Sequence, residues 1–383
     1  MVCWFAFCLD IIVPALPIIT DDFGVSSSLL QHSMSLFLLI CGLTQLSIRS
    51  MIILIGRRSL TVLCYCAIVL GCFLGAKAHN LFTLIFARCL QAAGSSGTLM
   101  ISFISVRDIT QDSKLRANLC SYLSSAIAIS PILIPVLGAM IIEHKHWHFT
   151  FTYMMILVVI HGILMLRIFP TLQSEAQLSH QQKNSWPELF SEHASLAYLL
   201  LAGILGGTLN FLFLSHSSYI YIVNFESSGL LYGYFFSVVG IVYMMGCFIF
   251  PVFSKKLGVL KTIILGHSLV FCMMFLVYIL NLFNMLNATI FTVFAAISHF
   301  GSGFLLTGSI VGLMSQPKLA TDQVVGVYGC SKFILPALLG WCSMSYGASL
   351  YAMSSTMIIL CTITSFALIP LVSFKQIRFF NAY

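Results

Sequence analysis

The chain has 383 residues, of which 59% are hydrophobic and 8% charged, with a formal net charge of +7. Soluble domains carry about 25% charged residues, so this composition and a mean hydropathy of +1.01 exclude a soluble globular protein. The basic residues are scattered at the ends of apolar blocks, which reads as a topology signal and not as a nucleic-acid patch.

Apolar blocks of ~18–25 residues recur along the whole chain, each long enough to cross ~30 Å of hydrocarbon as a helix. The sequence predicts twelve such spans. Span 1 covers 2–19 and contains "FAFCLDIIVPALPIIT", in which Asp10 is the one carboxylate and Pro14 and Pro17 follow it. A central charge costs ~2.5–3.5 kcal/mol on insertion scales, so such a group faces a cavity and relays protons, or else holds a span–span contact. The prolines break the helical ladder toward the outer end of the span. Span 2 covers 29–48 and is followed by "LIGRRSL", with Gly56 as a turn glycine ahead of Arg57 and Arg58. Span 3 covers 59–77, and span 4, residues 81–105, carries Arg88 with Gln91 one turn on, on the same face. Counted at ~1.5 Å per residue, Asp10 and Arg88 both fall roughly 10–14 Å from the outer surface. An arginine beside Asp10 favours its carboxylate and the release of its proton; separation favours uptake. A static ion pair is the alternative.

Span 5, residues 117–142, holds "SPILIPVLG", with Pro131 and Pro135 four apart and Gly138 beyond. That spacing thins one helix face for close approach of a neighbour, or simply kinks the helix. Span 6 covers 149–169. Residues 170–193, "PTLQSEAQLSHQQKNSWPELFSEH", are the longest polar stretch and read as a cytoplasmic linker between halves 1–169 and 194–383. Span 7, residues 194–214, leads into "LNFLFLSHSSYIYI", where Asn210, Phe211 and Tyr219 are candidate substrate contacts or plain packing. Span 8 covers 230–252, and "KKLGVLK" after it places Gly258 in the role of Gly56, 202 positions on. This echo suggests internal duplication. Span 9 covers 259–280, and span 10, residues 286–314, carries His299 as a second protonation candidate. Span 11, residues 322–346, carries Lys332 ten residues in, a cation able to meet an anionic substrate or to snorkel. Span 12 covers 348–372, divided from span 11 by a kink at Tyr346–Gly347.

Loops after the even-numbered spans, with the C-terminal tail, hold 14 basic residues and the opposite loops hold only Lys77 and Lys145. By the positive-inside rule both termini are cytoplasmic. The first block lacks the basic start and small-residue site of a cleavable signal peptide. It starts at Met1 with no cytoplasmic lead-in, so span 1 is short or the chain begins late. The 13 cysteines show no metal-type spacing, and His161, His216, His267 and His299 are isolated. No metal site and no cofactor is expected.

These motifs resemble the major facilitator superfamily, and within it the Bcr/CflA-type drug exporters. The likeness runs over nearly the whole chain. "DIIVPALPII" at 10–19 looks like the span 1 signature, and "ARCLQAAGSSG" at 87–97 is similar to the span 4 pattern Arg-x-x-Gln-Gly with Ala92 for the glycine. "VRDI" at 106–109, "SPILIPVLGAMI" at 130–141 and "HWHFTF" at 146–151, with His148 for an arginine, match in turn. The resemblance implies an all-α integral membrane protein of the major facilitator fold, twelve helices in two six-helix halves. It also implies proton-coupled efflux of drugs or small amphipathic metabolites by a monomer in a bacterial inner membrane. Its gate motif is eroded here: "RSMIILIGRR" at 49–58 has Arg49, Ile53 and Leu54 where the family has Gly, Asp and Arg, and keeps only Gly56, Arg57 and Arg58. Span 10 also lacks the family's Pro-Asn.

No Walker-type phosphate loop, His-Glu-x-x-His or Gly-x-Ser-x-Gly motif occurs, so nothing supports an enzyme or a nucleic-acid partner. The expected partners are a small-molecule substrate, protons and the lipid bilayer. Two other readings stay open: a degenerate transporter-like sensor or scaffold, and an importer of a small metabolite on the same fold.

Overall fold

A computed structural model of the protein describes residues 1–109, 113–168, 193–314 and 321–380. Most of the predicted linker and Lys318 lie outside these residues, and so do the side chains of Arg49, Arg107 and Asp108. The described chain is almost wholly helical. In hydrocarbon every backbone N–H and C=O must find its partner within the segment, and a helix does this without neighbours.

Among the described residues the helices follow the predicted order along the chain. Span 1 is α1 (Cys3–Asp10) and α2 (Leu16–Phe23), joined by a short 3₁₀ turn at Val13–Ala15. Then come α3 (Ser27–Ile55), α4 (Arg57–Ala76), α5 (Leu81–Ile109), α6 (Ser113–His144) and α7 (His148–Ile168). Span 7 is α8 (His193–Leu200) and α9 (Thr208–Ser218), with π-helical turns at Leu201–Gly207 and Tyr219–Asn224. The rest are α10 (Gly229–Leu257), α11 (Val259–Leu282), α12 (Ala288–Met314), α13 (Thr321–Met344) and α14 (Leu350–Phe380). Among the described residues nine helical passages are long and apolar enough to cross a bilayer; Ile129–His144 and Leu350–Phe366 are apolar but shorter.

Three boundaries differ from expectation. The α-helix of span 1 stops at Asp10 itself, before either proline. Pro14 has no N–H for the Asp10 carbonyl four residues back, so the regular ladder ends there. Span 2 continues as helix to Ile55, seven residues past its predicted end at 48, so the eroded "loop" is a last helical turn closed by Gly56 alone. An apolar run such as "MIILI" has no reason to leave the helix before a glycine does. Span 7 runs on to Asn224 because its polar serines sit inside a buried helix.

Packing divides the chain into two compact units, Met1–Lys183 with Ser228–Ser237, and Asn184–Ser227 with Val238–Tyr383. The first turns of α10 therefore belong to the first unit, where Ser237 Oγ donates to the Ile132 carbonyl at 2.5 Å. Pro135 lies inside α6 and supplies no N–H to the helix ladder there. Glycines let helix backbones meet in each unit. A Cβ on Gly94 of α5 would stand 2.4 Å from the Cys64 carbonyl oxygen on α4, and one on Gly266 of α11 would stand 2.6 Å from Gly301 on α12.

Gly56 and Gly258 adopt the same backbone conformation, φ 77° ψ 157° and φ 83° ψ 154°. Each N–H closes the preceding helix (to Ile52 and Ser254), and each carbonyl opens the next (from Leu60 and Thr262). Both lie in a region of φ/ψ space open essentially to glycine alone. The sequence echo is thus a conformational echo. Gly347, φ 91°, likewise divides α13 from α14 at the predicted kink.

Candidate functional site

In the first unit the break in span 1 creates the site. Asp10, the last residue of α1, is 4% exposed, and Arg88 on α5 is 2% exposed. Among the described residues no ion pair joins the two. Arg88 is held elsewhere. Its Nη1 donates to the carbonyl oxygen of Cys8, two residues before Asp10, and to Gln91 Oε1 at 3.1 Å. Its Nη2 points at Met34 Sδ at 3.6 Å, and the guanidinium carbon stands 4.3 Å from the centroid of the Phe37 ring. Gln91 is fully buried and in turn donates to Cys72 Sγ at 3.4 Å. Arg88 and Gln91, three residues apart on α5, are thus hydrogen-bonded to each other, and Arg88 also contacts the backbone of span 1.

Gly138 closes the other side. A Cβ there would stand 2.3 Å from the carbonyl oxygen of Ile11, the residue after Asp10. Pro131 and Pro135 lie in the same helix, α6. Helices α5 and α6 thus touch span 1 on both sides of its break.

Gly56, Arg57 and Arg58 form the turn between α3 and α4. The Arg57 carbonyl accepts from Thr61 Oγ1 at 2.8 Å, and Arg58 lines a small cleft of about 90 Å³ with Thr61, Tyr65 and Met165. Ile53 and Leu54 are 54% and 79% exposed, so these two of the three substituted positions face outward from the last turn of α3.

In the second unit the irregular first span again marks the site. Asn210 Nδ2 donates to the Gly206 carbonyl at 2.6 Å and to Ser302 Oγ on α12 at 2.8 Å. Ser302 Oγ also donates to Gly206 at 3.2 Å. Both side chains thus converge on the Gly206 carbonyl within the π-helical turn. A Cβ on Gly207 would lie 3.1 Å from the carbonyl oxygen of Lys332 on α13. The Lys332 side chain is half-buried and within electrostatic reach of Cys247 on α10. Tyr328, one turn earlier, donates to the Leu306 carbonyl at 2.8 Å. Asn210 and Lys332 therefore belong to one neighbourhood. Phe211 and Tyr219 are 3% and 5% exposed, packed within the unit. His299 is 3% exposed; its Nδ1 donates to Ala295 at 2.7 Å and its ring meets Phe213 edge-on at 4.7 Å.

Several residues here were not singled out from the sequence. Cys8, Met34, Phe37 and Cys72 surround Arg88 from three other helical segments, and apolar residues at such separations carry no local signal. Ser302 sits in "GSG", a small-residue run that marks close packing. Among the described residues no group of three His, Cys, Asp or Glu side chains is placed to hold a metal ion.

Comparison with known proteins gives a consistent picture. The family model described as "Major Facilitator Superfamily" matches residues 1–341. "Multidrug resistance protein MdtL" of Vibrio parahaemolyticus is 30% identical over 200 residues, 51% of this chain and 50% of that protein. "Multidrug resistance protein D" of Escherichia coli is 26% identical over 327 residues, 81% of this chain and 78% of that one. The chain thus spans only half the length of the Vibrio relative. The crystal structure of a D-xylose-proton symporter superposes with a TM-score of 0.73 at 13% identity, over 94% of each chain.

Proposed function

The chain belongs to the major facilitator superfamily, and on that premise we propose that it is a proton-coupled exporter of the Bcr/CflA type. It is a multi-pass membrane transporter and not an enzyme. Its proposed cargo is drugs or small amphipathic metabolites, and its proposed place is a bacterial cytoplasmic membrane, where it acts as a monomer. Asp10 carries the proton, and Arg88, steadied by Gln91, sets how readily the proton leaves. Asn210 and Lys332, with Phe211, Tyr219 and His299 behind them, shape the substrate side of the second half. The Gly56–Arg58 turn and the Pro131–Pro135–Gly138 face serve the opening and closing of the cavity.

One observation carries this reading. A carboxylic acid is buried at a helix break inside a membrane span, beside an arginine that does not tie it up. Ionisable groups at such depth are retained for ion or proton pathways, and broken spans recur where transporters bind coupling ions. The names of the Vibrio and Escherichia relatives support multidrug cargo.

The test is substrate flux in everted membrane vesicles with and without a proton gradient, paired with proton release by purified protein on substrate binding. Wild type is expected to accumulate substrate in the vesicles only when the proton gradient is present to drive the exchange. Asp10→Asn is expected to bind substrate and to release no proton. Continued exchange by Asp10→Asn would make Asp10 structural. A second reading, a degenerate sensor or scaffold, is favoured by the outward-facing Ile53 and Leu54 in the gate turn, and predicts no gradient-dependent flux at all. Flux in the opposite direction would indicate an importer.

A further inference from the structure

At one end of the first unit three chain segments meet around two histidines. Asp22 lies in the last turn of α2, Ala78 and His79 in the connection between α4 and α5, and His146, Trp147 and His148 where α6 gives way to α7. Trp147 is 1% exposed and donates its indole N–H to Asp22 Oδ2 at 2.7 Å. His146 Nε2 stands 3.2 Å from the same oxygen. The Nδ1 atoms of His146 and His148 face each other at 2.6 Å, and His148 Nε2 is 2.8 Å from the Ala78 carbonyl oxygen. The rings are stacked, with centroids 4.6 Å apart for the two imidazoles and 3.6 Å for Trp147 and His148.

Counting hydrogens through this chain gives an asymmetric answer. A carbonyl only accepts, so His148 Nε2 carries a hydrogen. A neutral imidazole has one N–H, so His148 Nδ1 then accepts, and the hydrogen between the rings belongs to His146 Nδ1. That leaves His146 Nε2 facing a carboxylate oxygen. Without a further hydrogen, two acceptors oppose each other at 3.2 Å. The hydrogen sits on His146 as an imidazolium or on Asp22 as an acid. In either case the cluster holds one proton more than two neutral imidazoles and a carboxylate. The titratable groups that face His148 are His146, Asp22 from α2 and His79 from the α4–α5 connection, whose ring is 6.4 Å away. Lys145 lies over the Phe149 ring at 5.8 Å, and Asp21, Lys77, Glu143 and His144 are the remaining ionisable neighbours in the chain.

We infer that Asp22, His146 and His148 form a proton-binding site that fastens the end of α2, the α4–α5 connection and the start of α7 to one another. The site is separate from Asp10 and does not rest on the transport reading. Because the fastened arrangement requires the extra proton, it holds at low pH and loosens as pH rises.

The test follows the indole N–H signals of the full chain, ¹⁵N-labelled in lipid nanodiscs, over about pH 5 to 9. The chain has four tryptophans, Trp4, Trp147, Trp186 and Trp341, and single Trp→Phe variants assign their signals. The Trp147 signal is expected to move in one step. His146→Gln should flatten that step. Asp22→Asn should move it to lower pH, because a neutral amide oxygen still accepts from Trp147 but no longer offers a negative charge to favour an imidazolium at His146. Unshifted signals of the other indoles report that each variant is folded. A Trp147 signal that does not titrate would overturn the inference, as would a step unchanged in both variants. If His146→Gln fails to fold, the Asp22→Asn shift decides alone.

Discussion

Arg88 uses its donors on the backbone of span 1 and on Gln91, and its plane on Phe37. A lysine cannot do all three, because one ammonium replaces a planar fork. Arg88→Lys should therefore cost about 1.5–3 kcal/mol, the range for a lost hydrogen bond to a charged group. It should appear as a lower thermal unfolding midpoint of the purified protein in detergent. Asp10 behaves oppositely. Among the described residues its carboxylate has no ion pair to lose, and burial disfavours the charged form. Asp10→Asn should leave that midpoint unchanged or raise it while abolishing proton release. A lowered midpoint would mean that Asp10 holds the helices together.

At the scale of helices, the approach of α6 to span 1 rests on a missing side chain. Gly138→Ala would drive a methyl group against the Ile11 backbone, and backbone cannot swing aside as a side chain can. We expect loss of transport and a destabilisation of about 1–3 kcal/mol. Gly229→Ala, with no neighbour within 4 Å of the added carbon, should be silent in the same assays. The paired turns make a second test. Gly56→Ala and Gly258→Ala should each cost about 1–3 kcal/mol, and by similar amounts, since the two backbones coincide in φ and ψ. Thermal unfolding of both variants checks it; a large difference between them would show that the likeness is only local geometry.

For the whole molecule the open question is sidedness. The twelve spans read from the sequence and the positive-inside rule predict that labels placed at 175–185 and at 144–146 are reached from opposite faces of the membrane, the first from the cytoplasm. The measurement is reaction of single cysteines, in a background without the native thiols, with an impermeant reagent in intact cells and in everted vesicles. Labelling of 175–185 in intact cells would overturn the orientation.

Much of this was legible in the chain itself. Long apolar runs with charges only at their ends determine helical membrane spans, because hydrocarbon leaves the backbone no other way to pair its polar groups. Gly56 and Gly258 were readable as turns because only glycine tolerates their conformation, and Asp10 and Arg88 stood out because ionisable groups are rare at that depth. The tertiary structure decided what those residues touch. That Arg88 grips the Cys8 carbonyl and not Asp10, that Gly138 meets Ile11, and that His148 reaches Ala78 across 70 residues of chain are facts of packing between distant segments. Periodicity and spacing describe one helix at a time. Which side chain meets which carbonyl is set only when several helices close on one another, with every buried donor seeking an acceptor.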